Sequence, residues 1–507
     1  AQSSWMYWFG KQQRWVYPLL VAIGLGVALV YIWVLTAGKM TVWTPHSQYY
    51  DRLASSFLEG QASLLESPPS ELLNLENPYD WRAREGIDYL WDVSLYDGKY
   101  YLYWGPVPAL AALPYKILKL QPVEDQYLLL GFLIGSFIST TLLITAIWRR
   151  FFNAFSGLGV IAGAVLAGFC SPAIWMLSRP SVYEAVIASG QFWLMTAMLA
   201  AFLSTSSQKI SVPGLGIAGV CFACAVGSRA TLAPAVCFLA AMTLGFLFGI
   251  PMGGRDRLLR IAPAAIAFCI PLALGAAALV WYNLIRFGEP FEFGLRYQLT
   301  GPMSDVFPAA FSPVYILPNL YGYFLRLPLV EGGFPFLSAP FVSESMWPFF
   351  IRLPEDYFYH EPITGFLVAA PATLFSLIII WGLPSLARRS RNRENGQLLR
   401  MILWMLGGFI FLIAPLMVYA FSTMRYQMDF MPFLIVLSVS GMWLSGFLRL
   451  SNRFWRSGLW IVFILAVLMT TLMGFLIGMS EPSSRFEAIN PSLYRGLETF
   501  FNQWATN

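Results

Sequence analysis

The sequence predicts an all-α, polytopic membrane protein, and three observations carry that expectation. Mean hydropathy is +0.61, and 57% of the 507 residues are hydrophobic while only 12% are charged. Continuous apolar runs of roughly 20 residues recur along the chain, the length a helix needs to cross hydrocarbon. A transmembrane β-barrel would alternate apolar and polar residues instead. The third observation is that basic residues gather in the short segments on one side of these runs.

Taken in order, the runs define eleven expected spans: 15–37, 126–147, 155–176, 182–204, 212–227, 231–250, 261–284, 363–385, 401–421, 426–447 and 458–479. The first is long and follows aromatic and basic residues, so it reads as a retained helix and not a cleaved signal. With the N-terminus in the cytoplasm, the inner segments hold 16 basic residues, among them Arg149, Arg150, Arg388, Arg389 and Arg400, against two acids, Asp256 and Glu394. The outer side holds the other 16 basic and 25 acidic residues. Basic residues in short loops mark the cytoplasmic side, so the expected location is the inner (cytoplasmic) membrane with the C-terminus outside. All five Cys fall in expected spans and read as packing residues. Two His give no basis for a His-built metal site.

The inner loops are short, whereas two outer segments, 38–125 and 285–362, are long and polar. Function is expected there. In the first, SQYYDRLASSFLEG (47–60) reads as a helix with Tyr50, Leu53, Phe57 and Leu58 on one face and Gly60 as its stop. Asp97-Gly98 marks a tight turn between Tyr-rich arms. Pro106 and Pro108 open a second amphipathic helix, 107–119. Both helices are expected to lie in the outer interface, with Tyr and Trp at headgroup depth.

A first span, an acidic juxtamembrane helix (YYDRLASSFLEGQ) and a Tyr/Pro helix (KYYLYWGPVPALAALPYKIL) in that order resemble the GT-C glycosyltransferases, such as protein O-mannosyltransferases and lipid A aminoarabinose transferases. DGKYYLYWGPVPA (97–109), RFGEPFEFGLRYQ (286–298) and RYQMDFMP (425–432) look like signatures of a bacterial subgroup. The resemblance implies a GT-C-like transmembrane domain over 1–479, an external tail over 480–507, and transfer of a sugar from a polyprenyl-phosphate-linked donor to an envelope acceptor. The implied partners are membrane lipid, a lipid-linked sugar and a glycan, lipid or protein acceptor, and no nucleic acid. A divalent metal requirement is left open. In the relatives an Asp ahead of the helix acts as base; here His46 stands at that position and the nearest carboxylate is Asp51.

Such a transfer needs a carboxylate to take the acceptor's proton, cations to stabilise the departing phosphate and a groove for the lipid. Asp51 is the first choice for the base, with Asp92, His46 and Glu184 as alternatives; a carboxylate one turn into a span, as Glu184 is, is costly unless it works or is paired. Arg425, Arg229 and Arg179 are the candidates for the donor phosphate, since the guanidinium fork matches phosphate oxygens. Asp429 stands four residues after Arg425, on the same face if the segment is helical. It is either an ion-pair partner or a positioning group. Tyr100, Tyr101, Glu292, Tyr297, His360, Glu361 and Asp429 are candidates for contacting substrate, because aromatic faces stack on sugar C–H groups and neighbouring polar groups bind hydroxyls. No Walker A, dinucleotide-type Gly pattern or DxD-type nucleotide-sugar motif is evident. The competing readings are a transporter, for which repeats and midplane charges are expected, and a catalytically inactive subunit of an envelope complex.

Overall fold

Each apolar run folds as a helix, and the interruptions come where Pro, Gly or a charge requires them. The computed structural model describes residues 13–118, 122–206, 210–249, 254–302, 310–341, 347–358, 361–447, 453–480 and 485–505. In chain order the main helices are α1 (Val16–Leu35), α2 (Tyr49–Leu58), α3 (Val107–Ile117), α4 (Asp125–Phe151), α5 (Leu158–Phe169), α6 (Ser171–Ser178), α7 (Val182–Ser206), α8 (Val212–Ser228), α9 (Ala233–Phe248) and α10 (Gly254–Phe287). They continue as α11 (Leu377–Arg389), α12 (Arg393–Met417), α13 (Met431–Phe447), α14 (Arg453–Met479) and α15 (Pro491–Ala505). Among the described residues, nine helical stretches are long and apolar enough to cross a membrane. The other two expected spans are α8 and α13, apolar helices of 17 residues each. The chain is an integral membrane protein.

Three boundaries differ from the sequence expectation. The third span breaks at Cys170, which is extended, so that α5 and α6 meet at an angle with Pro172 near the start of α6. The eighth begins as a short turn, Phe366–Ala369, and a 3₁₀ segment, Pro371–Ser376, before α11. The tenth is preceded by a 3₁₀ helix, Met424–Asp429. With three residues per turn, Arg425 and Asp429 do not share a face there, and their expected mutual pairing is not formed.

The bundle is held by close backbone approaches as well as by apolar packing. A Cβ on Gly219 of α8 would overlap the Phe268 carbonyl of α10, so glycine lets these two helices touch, as small residues do in membrane interfaces.

At one end of the bundle the two long loops and the C-terminal segment come together. The Asp125 carboxylate accepts bonds from Ser47 Oγ (2.6 Å) and the Tyr49 and Tyr50 amides (3.0 and 3.1 Å), which caps α2 from the start of α4. Asp51 accepts from Lys116 Nζ (2.9 Å) and the Val123 amide (2.8 Å), which ties α2 to α3. β1 (Ser94–Tyr96) and β2 (Lys99–Tyr101) form the expected hairpin, with Asp97 and Gly98 both at positive φ (47° and 65°), as a two-residue turn of this kind demands. The second loop adds to it: Asp92 donates its amide to Leu299 O (2.9 Å), and Leu299 donates to Val93 O (2.8 Å). That loop also carries a short hairpin, β3 (Leu329–Val330) with β4 (Leu337–Ser338). Phe334 of this hairpin stacks on Phe501 of α15 at 5.4 Å. Helix α3 has 11 residues, about 16 Å at helical rise, which is half of what a crossing needs.

Candidate active site

The loop end of the bundle encloses a cavity of about 740 Å³. Its walls come from the first loop (Trp91, Asp92, Trp104), the second loop (Glu292, Gln298, Glu361) and the loop-side ends of α7, α8, α10 and α12, with Arg425 and Tyr426 from the 3₁₀ helix. Ile187, Val226, Leu279 and Leu416 give it an apolar lining. Charged side chains line it as well.

Asp92 is buried at 2% exposure, and the strand pairing described above fixes its backbone with φ at 58°. Its carboxylate accepts hydrogen bonds from the Tyr183 hydroxyl and the Gln298 side-chain amide. Burial holds its pKa above the ordinary carboxylate value; the bonds from Tyr183, Gln298 and Thr300 and the Arg425 charge only partly offset this. Such a carboxylate binds a proton more readily than a solvated one.

Four arginines line the same cavity: Arg179, Arg229, Arg286 and Arg425. Arg425 grips Glu361 with both terminal nitrogens at 2.9 Å, Thr423 Oγ1 adds a 3.0 Å bond to the same carboxylate, and Arg179 stands 3.7 Å from it. Burial pushes the Glu361 carboxyl up, but the Arg425 and Arg179 charges outweigh it and hold it below the usual range. Arg229 reaches both oxygens of Asp429 with one nitrogen, at 2.5 Å. The Tyr426 ring lies under both Arg229 (4.8 Å) and Arg425 (5.5 Å). Tyr183 connects the two halves of the site, since its hydroxyl bonds Asp92 and its ring faces Arg425 at 5.0 Å. Arg286 spends its nitrogens on Leu102 O and Asn283 Oδ1, both at 2.7 Å, and so anchors the first loop.

The cavity therefore gathers Asp92, Arg179, Arg229, Glu292, Glu361 and Arg425 from the residues expected by sequence. Glu292 is turned toward Arg296 (2.6 Å) and the Gly294 amide (2.6 Å). Other expected residues stand elsewhere. Asp51, the first choice for the base, is locked to Lys116 and is not on the cavity wall. His46 is exposed and also off it. Glu184 is buried behind Tyr183, bonded to Ser181, with its second oxygen unpartnered. Arg179, five residues before it, stands against Glu361. Asp429 backs Arg229 from outside the wall. Tyr100 is buried in the hairpin, while Tyr101 and Tyr297 pack on Phe287 at 5.5 and 5.8 Å. His360 lies outside the described residues. Sequence reading missed Tyr183, Gln298 and Thr423 as the groups that set the two carboxylates. Gln298 closes the RFGEPFEFGLRYQ stretch and Tyr183 precedes Glu184, so the signals stood beside residues already singled out. Among the described residues, no three His, Cys, Asp or Glu side chains are grouped to hold a metal ion.

No family model matches the sequence, and no curated protein matches it. Solved structures are similar to it. The apo oligosaccharyltransferase of Archaeoglobus fulgidus superposes with a TM-score of 0.51 over 92% of this chain and 56% of its own, at 15% identity. The oligosaccharyltransferase AglB of the same organism, in complex with an inhibitory peptide and a dolichol-phosphate, covers 93% of this chain and 56% of its own at 13% identity, with a TM-score of 0.46. ArnT from Cupriavidus metallidurans, bound to undecaprenyl phosphate, covers 95% and 78% at 11% identity, with a TM-score of 0.42. The chain thus spans little more than half the length of the oligosaccharyltransferase, and at these identities the likeness is one of fold. That fold is the one found in GT-C glycosyltransferases, the group that the first-loop motifs resemble.

Proposed function

We propose that the protein is a membrane glycosyltransferase that moves a sugar from a polyprenyl-phosphate-linked donor to an envelope acceptor. The observation that carries this reading is the pairing of a buried carboxylate, Asp92, with an arginine cluster on one cavity, joined through Tyr183. Asp92 takes the proton of the acceptor hydroxyl as its oxygen attacks the anomeric carbon. The bond from that carbon to the phosphate oxygen breaks, and the phosphate leaves with both bonding electrons toward Arg179, Arg229 and Arg425. Arg179 is the least committed of the three, because its contact with Glu361 is a long one and 32% of its side chain is exposed. The apolar lining takes the first isoprene units. The fold shared with an oligosaccharyltransferase agrees with this reading. The arginines at the opposite bundle end support an external position for the cavity, by the positive-inside rule. Mass spectrometry of lipid extracted from protein purified out of its own membrane tests the donor class. A co-purifying polyprenyl phosphate or its sugar ester is expected, and only ordinary phospholipid would count against it.

A further inference from the structure

The bundle end away from this cavity carries positive charge that the described residues offset only in part. A pocket of about 50 Å³ opens there between the ends of α4, α7 and α9 and the start of α12. Arg150, Gln397 and Arg400 supply its polar groups, and Phe151, Phe202 and Phe246 its apolar ones, with the Arg150 guanidinium 5.2 Å from the Phe151 ring. Arg150 uses one nitrogen on Gln397 Oε1 at 2.9 Å. Arg400 makes a 3.4 Å bond to the Gly396 carbonyl in its own helix. No carboxylate among the described residues pairs with either, and Arg393 stands close enough to Arg150 for the two charges to repel.

Helix ends account for only part of this. Three helices finish here, each with about half a negative charge, and Glu394 faces the positive start of α12; against three guanidiniums this leaves roughly one positive charge unmet. A partly buried cationic group of this kind calls for a counter-anion. At about 10–15 Å³ for each water-sized centre, the pocket takes roughly three to five such centres, and the five heavy atoms of a phosphate match the upper end of that range.

We propose that this pocket is a second anion site, distinct from the transfer cavity, that binds the phosphate of an anionic membrane lipid. The phosphate sits between Arg150 and Arg400, and the three Phe side chains receive the start of an acyl chain. The site is at headgroup level by position, since each of the four helices reaches its end there. Basic pockets between spans recognise lipid headgroups by the same chemistry.

Thermal unfolding of the purified full chain in a neutral detergent tests this, with dioleoylphosphatidylglycerol or inorganic phosphate added, for the parent and for the Arg150→Gln/Arg400→Gln variant. The lipid is expected to raise the parent's midpoint by several degrees, and the double variant should lose most of that shift. Inorganic phosphate at millimolar concentration should move neither. An equal lipid shift in parent and variant overturns the site. A shift with inorganic phosphate in the parent alone overturns the lipid as its occupant in favour of a soluble phosphate compound. If the double variant does not fold, Arg150→Lys keeps the charge but loses the fork, and its lipid shift should fall by at least half; an undiminished shift overturns the proposal.

Discussion

Replacing Arg425 by Lys separates a phosphate-binding role from a structural one, provided that Glu361→Gln is measured beside it. Both terminal nitrogens of Arg425 are 2.9 Å from Glu361, and the pair is largely shielded, at 6% and 12% side-chain exposure. A Lys ammonium at this position reaches one oxygen at a time. The lost charge-assisted bond costs about 1.5–3 kcal/mol, a factor of roughly 10 to 150 if it falls on binding. Both variants disturb the same pair, so both should unfold at lower temperature. Their effects on undecaprenyl phosphate binding should differ in sign. Arg425→Lys weakens it, because the ammonium cannot be shared between Glu361 and the phosphate as the fork can. Glu361→Gln keeps or tightens it, because a competing anion leaves a cluster that includes Arg179 and Arg229. Binding measured by quenching of intrinsic Trp fluorescence on titration with the lipid, at matched folded fraction, decides the matter. Equal weakening in both variants would show that the pair is scaffolding, and parental binding by Arg425→Lys would remove Arg425 from phosphate recognition.

Further outcomes follow from the same geometry. Lowering the pH should slow transfer through a midpoint above the ordinary Asp value near 3.9, because burial raises the Asp92 pKa and only the deprotonated form accepts a proton; a rate unchanged down to that value would contradict the base assignment. Asp51→Asn breaks the shielded ion pair to Lys116 and should lower stability by about 1–3 kcal/mol while turnover per folded molecule persists, so loss of turnover at parental stability would return Asp51 to the chemistry. Gly105→Ala should destabilise the fold by about 1–3 kcal/mol, since its Cβ would overlap the Gly227 and Ser228 carbonyl oxygens; an unchanged melting curve would mean that this loop–helix approach is looser than described. Cysteines introduced at 205–211 or 386–400 should resist labelling from outside intact cells, whereas those at 62–90 should react, and the reverse pattern would invert the proposed topology.

The span positions were legible because each depends on a local property, a run of apolar residues about as long as the bilayer is thick. The Asp97-Gly98 turn was legible for a similar reason, as two adjacent residues supply the positive φ it needs. Helix starts were less so: the eighth span looks continuous from 363, yet its first α-helical turn ends at Ala369 and a 3₁₀ segment follows from Pro371. The pairings within the site were not legible at all. Sequence spacing suggested Arg425 with Asp429, but Asp429 pairs with Arg229, 200 positions away, and Arg425 pairs with Glu361, 64 positions away. Asp92 is likewise set by Tyr183 and Gln298, 91 and 206 positions away. Ranking Asp51 above Asp92 followed from its nearness to the family's catalytic position. It could not register that Lys116 and the Val123 amide already satisfy Asp51.

The most direct test of the account is turnover by purified parent and Asp92→Asn protein, with lipid-linked sugars from the native membrane as donor and released polyprenyl phosphate as the readout. The amide keeps the shape of the carboxylate and loses its basicity. Release by the parent is expected, with a loss of at least about 100-fold in the variant, the lower bound for removing a general base, and with undecaprenyl phosphate binding and melting temperature near parental. Release by Asp92→Asn at close to the parental rate, or no release by a parent that binds the lipid, would contradict it.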